Sequence, residues 1–308
     1  MKTKASGSKF WVALVIFSLV GQIAWVMENM YFNVFIYKMF HASAEDISAM
    51  VAASAVAATV TTLLIGALSD KVGKRKLFIC GGYILWGISI LSFSLVRVDM
   101  LSTLFPYASA ASMGVSITII LDCVMTFFGS SANEACFNAW LTDSTDDTNR
   151  GAAEGINSMM PLLAILAVFG GFMGFDLGRQ ESWTAIFIII GAVVTVLGIA
   201  GIWLIREPEL DTRGNENYFK NLFYGFRPQV VKENPSLYLA LAAYAVFGIA
   251  IQIFMPYLIL YYTVSLGMDN YVLIFARPSC WPRPSPSSTA DAMTARAFPP
   301  RWWRPWCC

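Results

Sequence analysis

Residues 66–78, "GALSDKVGKRKLF", place one acid and four cations in a chain that is otherwise strongly apolar. "ISAMVAASAVAATVTTLLI" runs up to this stretch and "ICGGYILWGISILSFSLV" follows it. Each flanking run is close to the roughly 20 apolar residues that a helix needs to cross a bilayer core. The charged segment is therefore a turn between two spanning helices. Gly66 and Gly73 allow close backbone approach and a tight turn there.

Composition extends this to the whole chain. Of 308 residues, 57% are hydrophobic and 13% charged, with a mean hydropathy of +0.59. A soluble domain carries about 25% charged residues, so half that share points to an exterior solvated by lipid. The net charge of +1 favours neither nucleic acid nor an anionic partner. Runs of spanning length fall at 10–37, 46–69, 77–96, 115–141, 152–176, 183–205 and 237–264, seven in all. Helices satisfy their own backbone hydrogen bonds in lipid, as an open sheet cannot. The expected fold is an all-α membrane protein: a six-helix transmembrane bundle, a seventh helix and an unstructured tail.

The first run is not a cleaved secretory signal. It is too long, lacks a small-residue cleavage site and precedes six further spans. Cys80, Cys123 and Cys136 lie inside spans without metal-ligand spacing and read as small apolar fillers. His41 stands alone in a loop. With no Ser/His, Cys/His or metal constellation, the sequence points to no enzyme, no cofactor and no bound metal.

Basic residues set the orientation. With the N-terminus inside, thirteen Lys and Arg fall on the cytoplasmic side and three (Lys38, Arg97, Arg179) on the outer side. That is the positive-inside pattern. The expectation is a multi-pass protein of the plasma (inner) membrane with a cytoplasmic N-terminus. Residues 1–206 form the six-helix domain, 207–236 a cytoplasmic linker and 237–276 the first helix of an incomplete second domain.

The opening turn, G-x-L-x-D-x-x-G-K-R-K, resembles the signature loop of the major facilitator superfamily, the twelve-helix secondary transporters. "WLTDSTDDTNRGAAEGINSMMPLL", between the fourth and fifth spans, resembles that family's second conserved turn, with Asp143, Arg150, Gly151 and Gly155 at matching positions. The resemblance covers residues 10–276. It implies that Asp70, with Arg75 and Arg150 as local partners, belongs to a contact holding one state of an alternating-access cycle. In the family that acid also meets the positive end of a helix dipole from the other half.

Residues 277–308 hold seven of the thirteen prolines, four of the ten tryptophans and five arginines but no lysine. Disordered tails are normally poor in Trp and Cys. Read one frame over, Cys280–Trp281 forces a leucine, Met293–Thr294 an aspartate and Trp302–Trp303 a valine. The aspartate can fall in a second-half copy of the opening motif. The tail is therefore expected to be aberrant, the product of a frameshift near Ala276 in a parent with two similar six-helix halves.

Transport chemistry belongs on polar residues inside spans, where each is costly. At about 100° per residue, Gln22, Trp25, Asn29 and Asn33 share a stripe of the first helix, with Glu28 at its edge. In the fourth helix Asp122, Thr126, Gly129, Asn133 and Trp140 share a face, while Glu134 and Asn138 lie on another, where packing between helices is at least as strong a reading as function. The first and fourth helices line the central cavity in the family, and amides and indoles suit a small polar organic solute. Asn29 and Asn33 could instead join helices, and Glu28 and Asp122 could form a structural pair.

Cation-coupled glycoside–pentoside–hexuronide symporters carry two acids in the second helix, at positions occupied here by Ala58 and Thr62. That sodium site is absent. Coupling then falls to a proton taken by Glu28 or Asp122, since burial favours the neutral form of a carboxylic acid. The expected function is secondary active transport; the alternatives are an inactive fragment of a transporter and a seven-helix sensor.

Overall fold

The computed structural model describes residues 7–106, 109–207 and 228–268. Most of the expected linker and the whole expected aberrant tail lie outside these residues. Every regular element among the described residues is helical. Seven helices are long and apolar enough to cross a membrane: α1 (Ser8–Phe40), α2 (Ala44–Val72), α3 (Arg75–Leu95), α4 (Ala110–Ser144), α5 (Arg150–Phe172), α6 (Gln180–Leu204) and α7 (Pro235–Ser265). Most run a few residues past the apolar stretches.

The caps are local chemistry. Ser43 begins α2 with a capping box: its hydroxyl accepts from the Asp46 amide at 3.1 Å, and the Asp46 carboxylate accepts from the Ser43 amide at 2.8 Å. Gly73 ends α2 in the left-handed region, φ +68°, donating its amide to Ser69 O at 2.9 Å. A side chain there would be strained, so this glycine makes the opening turn possible. Gly66 plays no matching part, because nothing lies within 4 Å of where its Cβ would stand. His41 ends α1, exposed and left-handed at φ +54°. Histidine is among the residues that tolerate that conformation.

Small residues set how closely the helices meet. At Gly87 of α3 a Cβ would stand 2.5 Å from the Thr195 amide and 2.7 Å from Gly191 O of α6, so the two backbones touch. At the end of α1 remote from the opening turn, aromatic rings fill the core. Phe32 lies 4.5 Å from Phe93, and Phe35 lies 5.4 Å from Trp183 and 5.0 Å from Phe187, between ring centroids. The outer faces stay apolar: Val56 is 64%, Leu162 65% and Trp203 71% exposed. Such a surface is stable only against hydrocarbon, and the chain is an integral, multi-pass membrane protein.

The helices alternate between two ends. The opening turn meets the α4–α5 connection and the end of α6, through Arg75 to Asp143 at 3.1 Å and the Lys76 amide to the Glu207 carboxylate at 3.1 Å. At the other end α7 touches the start of α2, where the Tyr257 hydroxyl donates to Ala44 O at 3.1 Å. Residues 235–254 of α7 are not buried at all; Pro256 and Leu258–Leu260 are.

Three helices contain a π segment: Met27–Tyr31 in α1, Ser130–Phe137 in α4 and Tyr261–Ser265 in α7. The i→i+5 bond adds a residue to the turn. Residues beyond it are rotated by about 100° relative to an unbroken α-helix.

Candidate functional site

A cavity of about 420 Å³ lies roughly midway along the helices. α1 lines it with Gln22, Trp25, Glu28, Asn29 and Asn33, the whole stripe expected from the sequence together with its edge acid. α4 contributes Asp122, Thr126 and Asn133, again as expected, and also Glu134 and Asn138. The regular helical count puts these last two on another face. The π segment rotates α4 between Thr126 and Asn138, so Glu134 takes the direction that Asn133 would have in a regular helix.

The same rotation moves Trp140 away. It is buried near the opening-turn end, where its Nε1 donates to Arg206 O at 2.9 Å and its ring lies 5.1 Å from that of Phe10. It does not line the cavity. Gly129 is also off the wall, with its Cβ direction filled by the Trp86 ring at 2.7 Å.

Three polar lining residues were missed from sequence: Ser54 of α2, Asn157 of α5 and Gln252 of α7. Each is a polar group inside an apolar span, which was the signal available. Gln252 Nε2 donates to Asn29 Oδ1 at 3.4 Å, and Ser18 donates to Asn157 Oδ1.

Asn133 is the hub of the wall. Its Nδ2 donates to the Tyr83 hydroxyl at 2.7 Å, which donates to Phe17 O at 2.9 Å, and its Oδ1 accepts from Trp25 Nε1 at 3.2 Å. One amide thus ties α1, α3 and α4 together and fixes the Trp25 ring. Gly21 makes room for it, since a Cβ there would overlap Asn133.

The two central carboxylates are deeply buried, Glu28 at 7% and Asp122 at 1% exposure. Thr126 Oγ1 donates to Glu28 Oε1 at 2.8 Å, and Ser54 Oγ donates to Asp122 Oδ2. Glu28 Oε2 and Asp122 Oδ1 have no protein partner. Thr62 donates to Glu134 Oε2 at 3.3 Å. No lysine, arginine or histidine lines the cavity, and no cluster able to hold a metal ion occurs among the described residues.

At the opening turn the arrangement is opposite. Arg75 is 6% exposed and pairs with Asp70 through Nη2, with Asp143 through Nε at 3.1 Å and with Ser69 Oγ through Nη1 at 2.5 Å. Its planar fork suits two carboxylates at once. Arg150 is not the partner of Asp70; it donates to Thr142 O at 3.0 Å, bracing the end of α4. Gly151, like Gly155, has nothing within 4 Å of its Cβ direction.

Membrane helices packed through small residues thus enclose a polar cavity inside an apolar exterior. The chain belongs to the Major Facilitator Superfamily, whose sequence model matches residues 10–281. Among solved structures, the fold is similar to a bacterial homolog of the human lysosomal transporter Spinster, crystallised inward-facing and unoccupied. The match has a TM-score of 0.52 at 17% identity, covering 75% of this chain and 50% of that one. At that identity it shows the fold alone, and this chain spans about half the length of that structure. No curated protein matches. The family resemblance read from the two turns is borne out.

Proposed function

We propose that the protein is the solute-binding half of a secondary active transporter that moves a small polar organic solute by alternating access, driven by protons. The observation that carries this is the pair of buried carboxylates, Glu28 and Asp122, each facing the cavity with one unpartnered oxygen. A buried acid is costly unless it is neutralised, and a site that gains and loses a proton as access alternates uses that cost. Transport in this architecture rocks two half-domains about a central site. In this reading residues 1–206 are one half, 237–276 begin the other across the 207–236 linker, and 277–308 are a frameshifted tail. Asp70 and Asp143, bridged by Arg75, act as the conformational lock, with Arg150 as a brace.

The test is uptake by vesicles containing the frame-restored parent, with and without an imposed pH gradient. Asp122→Asn keeps shape and hydrogen-bonding capacity but removes the titratable group, and is expected to abolish gradient-driven uptake. Asp70→Asn is expected to change rate more than solute affinity. Unchanged gradient-driven uptake in Asp122→Asn would make that acid structural and move coupling to Glu28. The same change without effect in Glu28→Gln would refute proton coupling at this site.

A further inference from the structure

The cavity wall is one-sided in its hydrogen bonding. Its three buried polar atoms without a partner are all acceptors: Glu28 Oε2, Asp122 Oδ1 and Asn33 Oδ1. Most of the donors are committed to the protein; the side-chain amides of Gln22 and Asn157 are the exceptions. Asn29 and Asn33 give Nδ2 to the carbonyls of Trp25 and Asn29, each at 2.8 Å, and Asn138 gives Nδ2 to Glu134 O at 3.0 Å. Asn133 gives Nδ2 to Tyr83 and Trp25 gives Nε1 to Asn133, while Ser54 and Thr126 give their hydroxyls to the two acids.

Charge points the same way. Glu28, Asp122 and Glu134 line one cavity with no cationic side chain beside them, whereas Asp70 and Asp143 at the opening turn share Arg75. An anionic solute would meet like charge and few free donors. A polyhydroxylated neutral solute would leave the charge of these acids uncompensated. A protonated amine or guanidinium supplies that missing charge and brings N–H groups to the open acceptors, and charge-assisted bonds to carboxylates are the stronger kind. Trp25, its N–H already used, has only its ring face to offer, which attracts a cation.

We propose that the solute is a small organic cation bearing N–H donors, held by Glu28 and Asp122 with Asn33 as the third acceptor. This rests on the transport role proposed above.

The experiment uses the full 308-residue chain in lipid nanodiscs and measures equilibrium binding of four probes of matched length. These are 1,5-diaminopentane, its bis-trimethylammonium analogue, pentane-1,5-diol and glutarate. The diamine is expected to bind at least tenfold more tightly than the diol and than the quaternary analogue, which has charge but no N–H, with no binding of glutarate. Glu28→Gln and Asp122→Asn are each expected to weaken the diamine at least tenfold; either suffices if the other fails to fold. Diol binding as tight as that of the diamine would overturn the cationic class while leaving a solute cavity. Binding of no probe, or binding that survives filling the cavity with Ala58→Trp, would overturn the cavity as a solute site and the transport role with it.

Discussion

Replacing Gly21 by alanine adds one methyl group to the middle of α1. Helix propensity alone would make this stabilising by about 0.8–1.0 kcal/mol. The packing decides otherwise. The new Cβ would overlap Asn133 Nδ2 and stand 2.6 Å from the Tyr83 hydroxyl, and neither neighbour can step aside. Tyr83 is fully buried and bonded to Phe17 O at 2.9 Å, while Asn133 is held by Tyr83 at 2.7 Å and Trp25 at 3.2 Å. Overpacking of this kind costs about 1–3 kcal/mol, and losing the Asn133–Tyr83 bond adds about 1 kcal/mol. Set against the propensity gain, the net loss is about 2 kcal/mol. Gly170→Ala is the control, because nothing lies within 4 Å of its Cβ position in α5. Reversible unfolding in mixed micelles, followed by far-ultraviolet circular dichroism, should show the control neutral or slightly stabilised and Gly21→Ala destabilised. Gly21→Ala as stable as the control would mean that α1 does not approach α3 and α4 as described.

Arg75→Lys should destabilise the same unfolding transition, because one ammonium cannot span Asp70 and Asp143 as the guanidinium does. Breaking a buried pair costs about 3–5 kcal/mol, and since these acids are 26% and 24% exposed, solvent screening lowers the expectation to about 1–2 kcal/mol; a variant as stable as the native chain would remove the lock. For the proposed orientation, a reporter fused after Lys76 should behave as cytoplasmic and one fused after Arg97 as external, and reversed signals would overturn it. For the proposed frameshift, restoring the frame near codon 276 should open about five further spans, the number that completes two six-helix halves. A native gene with the present frame intact would show the tail to be genuine.

The fold was legible because its strongest signal is length. Seven apolar runs announce seven helices, and two glycine-and-charge turns announce the family. In α1 the backbone is α-helical through Val26, so counting at 3.6 residues per turn brings Gln22 and Trp25 to one face; Asn29 and Asn33 lie in and beyond the π segment and still line the cavity. In α4 the count failed where the helix is no longer α. Nothing in "SSANEACF" marks residues 130–137 as a π segment. Glu134 and Asn138 were therefore placed on another face and Trp140 in the cavity, the reverse of what is found. Ser54, Asn157 and Gln252 were hidden differently. Gln252 stands alone on its helix, while Ser54 and Asn157 lie among other polar residues, such as Thr61 and Glu154, that do not line the cavity.

The acids show why sequence alone could not separate lock from site. Asp70 and Asp122 are both single carboxylates in or beside an apolar span, and hydropathy treats them alike. What distinguishes them is the partner each meets. Asp70 finds Arg75 five residues away, across a turn that Gly73 bends back, and the charge is closed within the protein. Asp122 finds only the Ser54 hydroxyl on one oxygen, and its other oxygen is buried beside the cavity without a partner. A carboxylate whose charge is matched by its own chain can hold a conformation but has nothing left for a solute. A carboxylate buried without such a match is stable only when something arrives to complete it. The cavity rather than the signature turn is therefore where a proton or a cation gains most from binding.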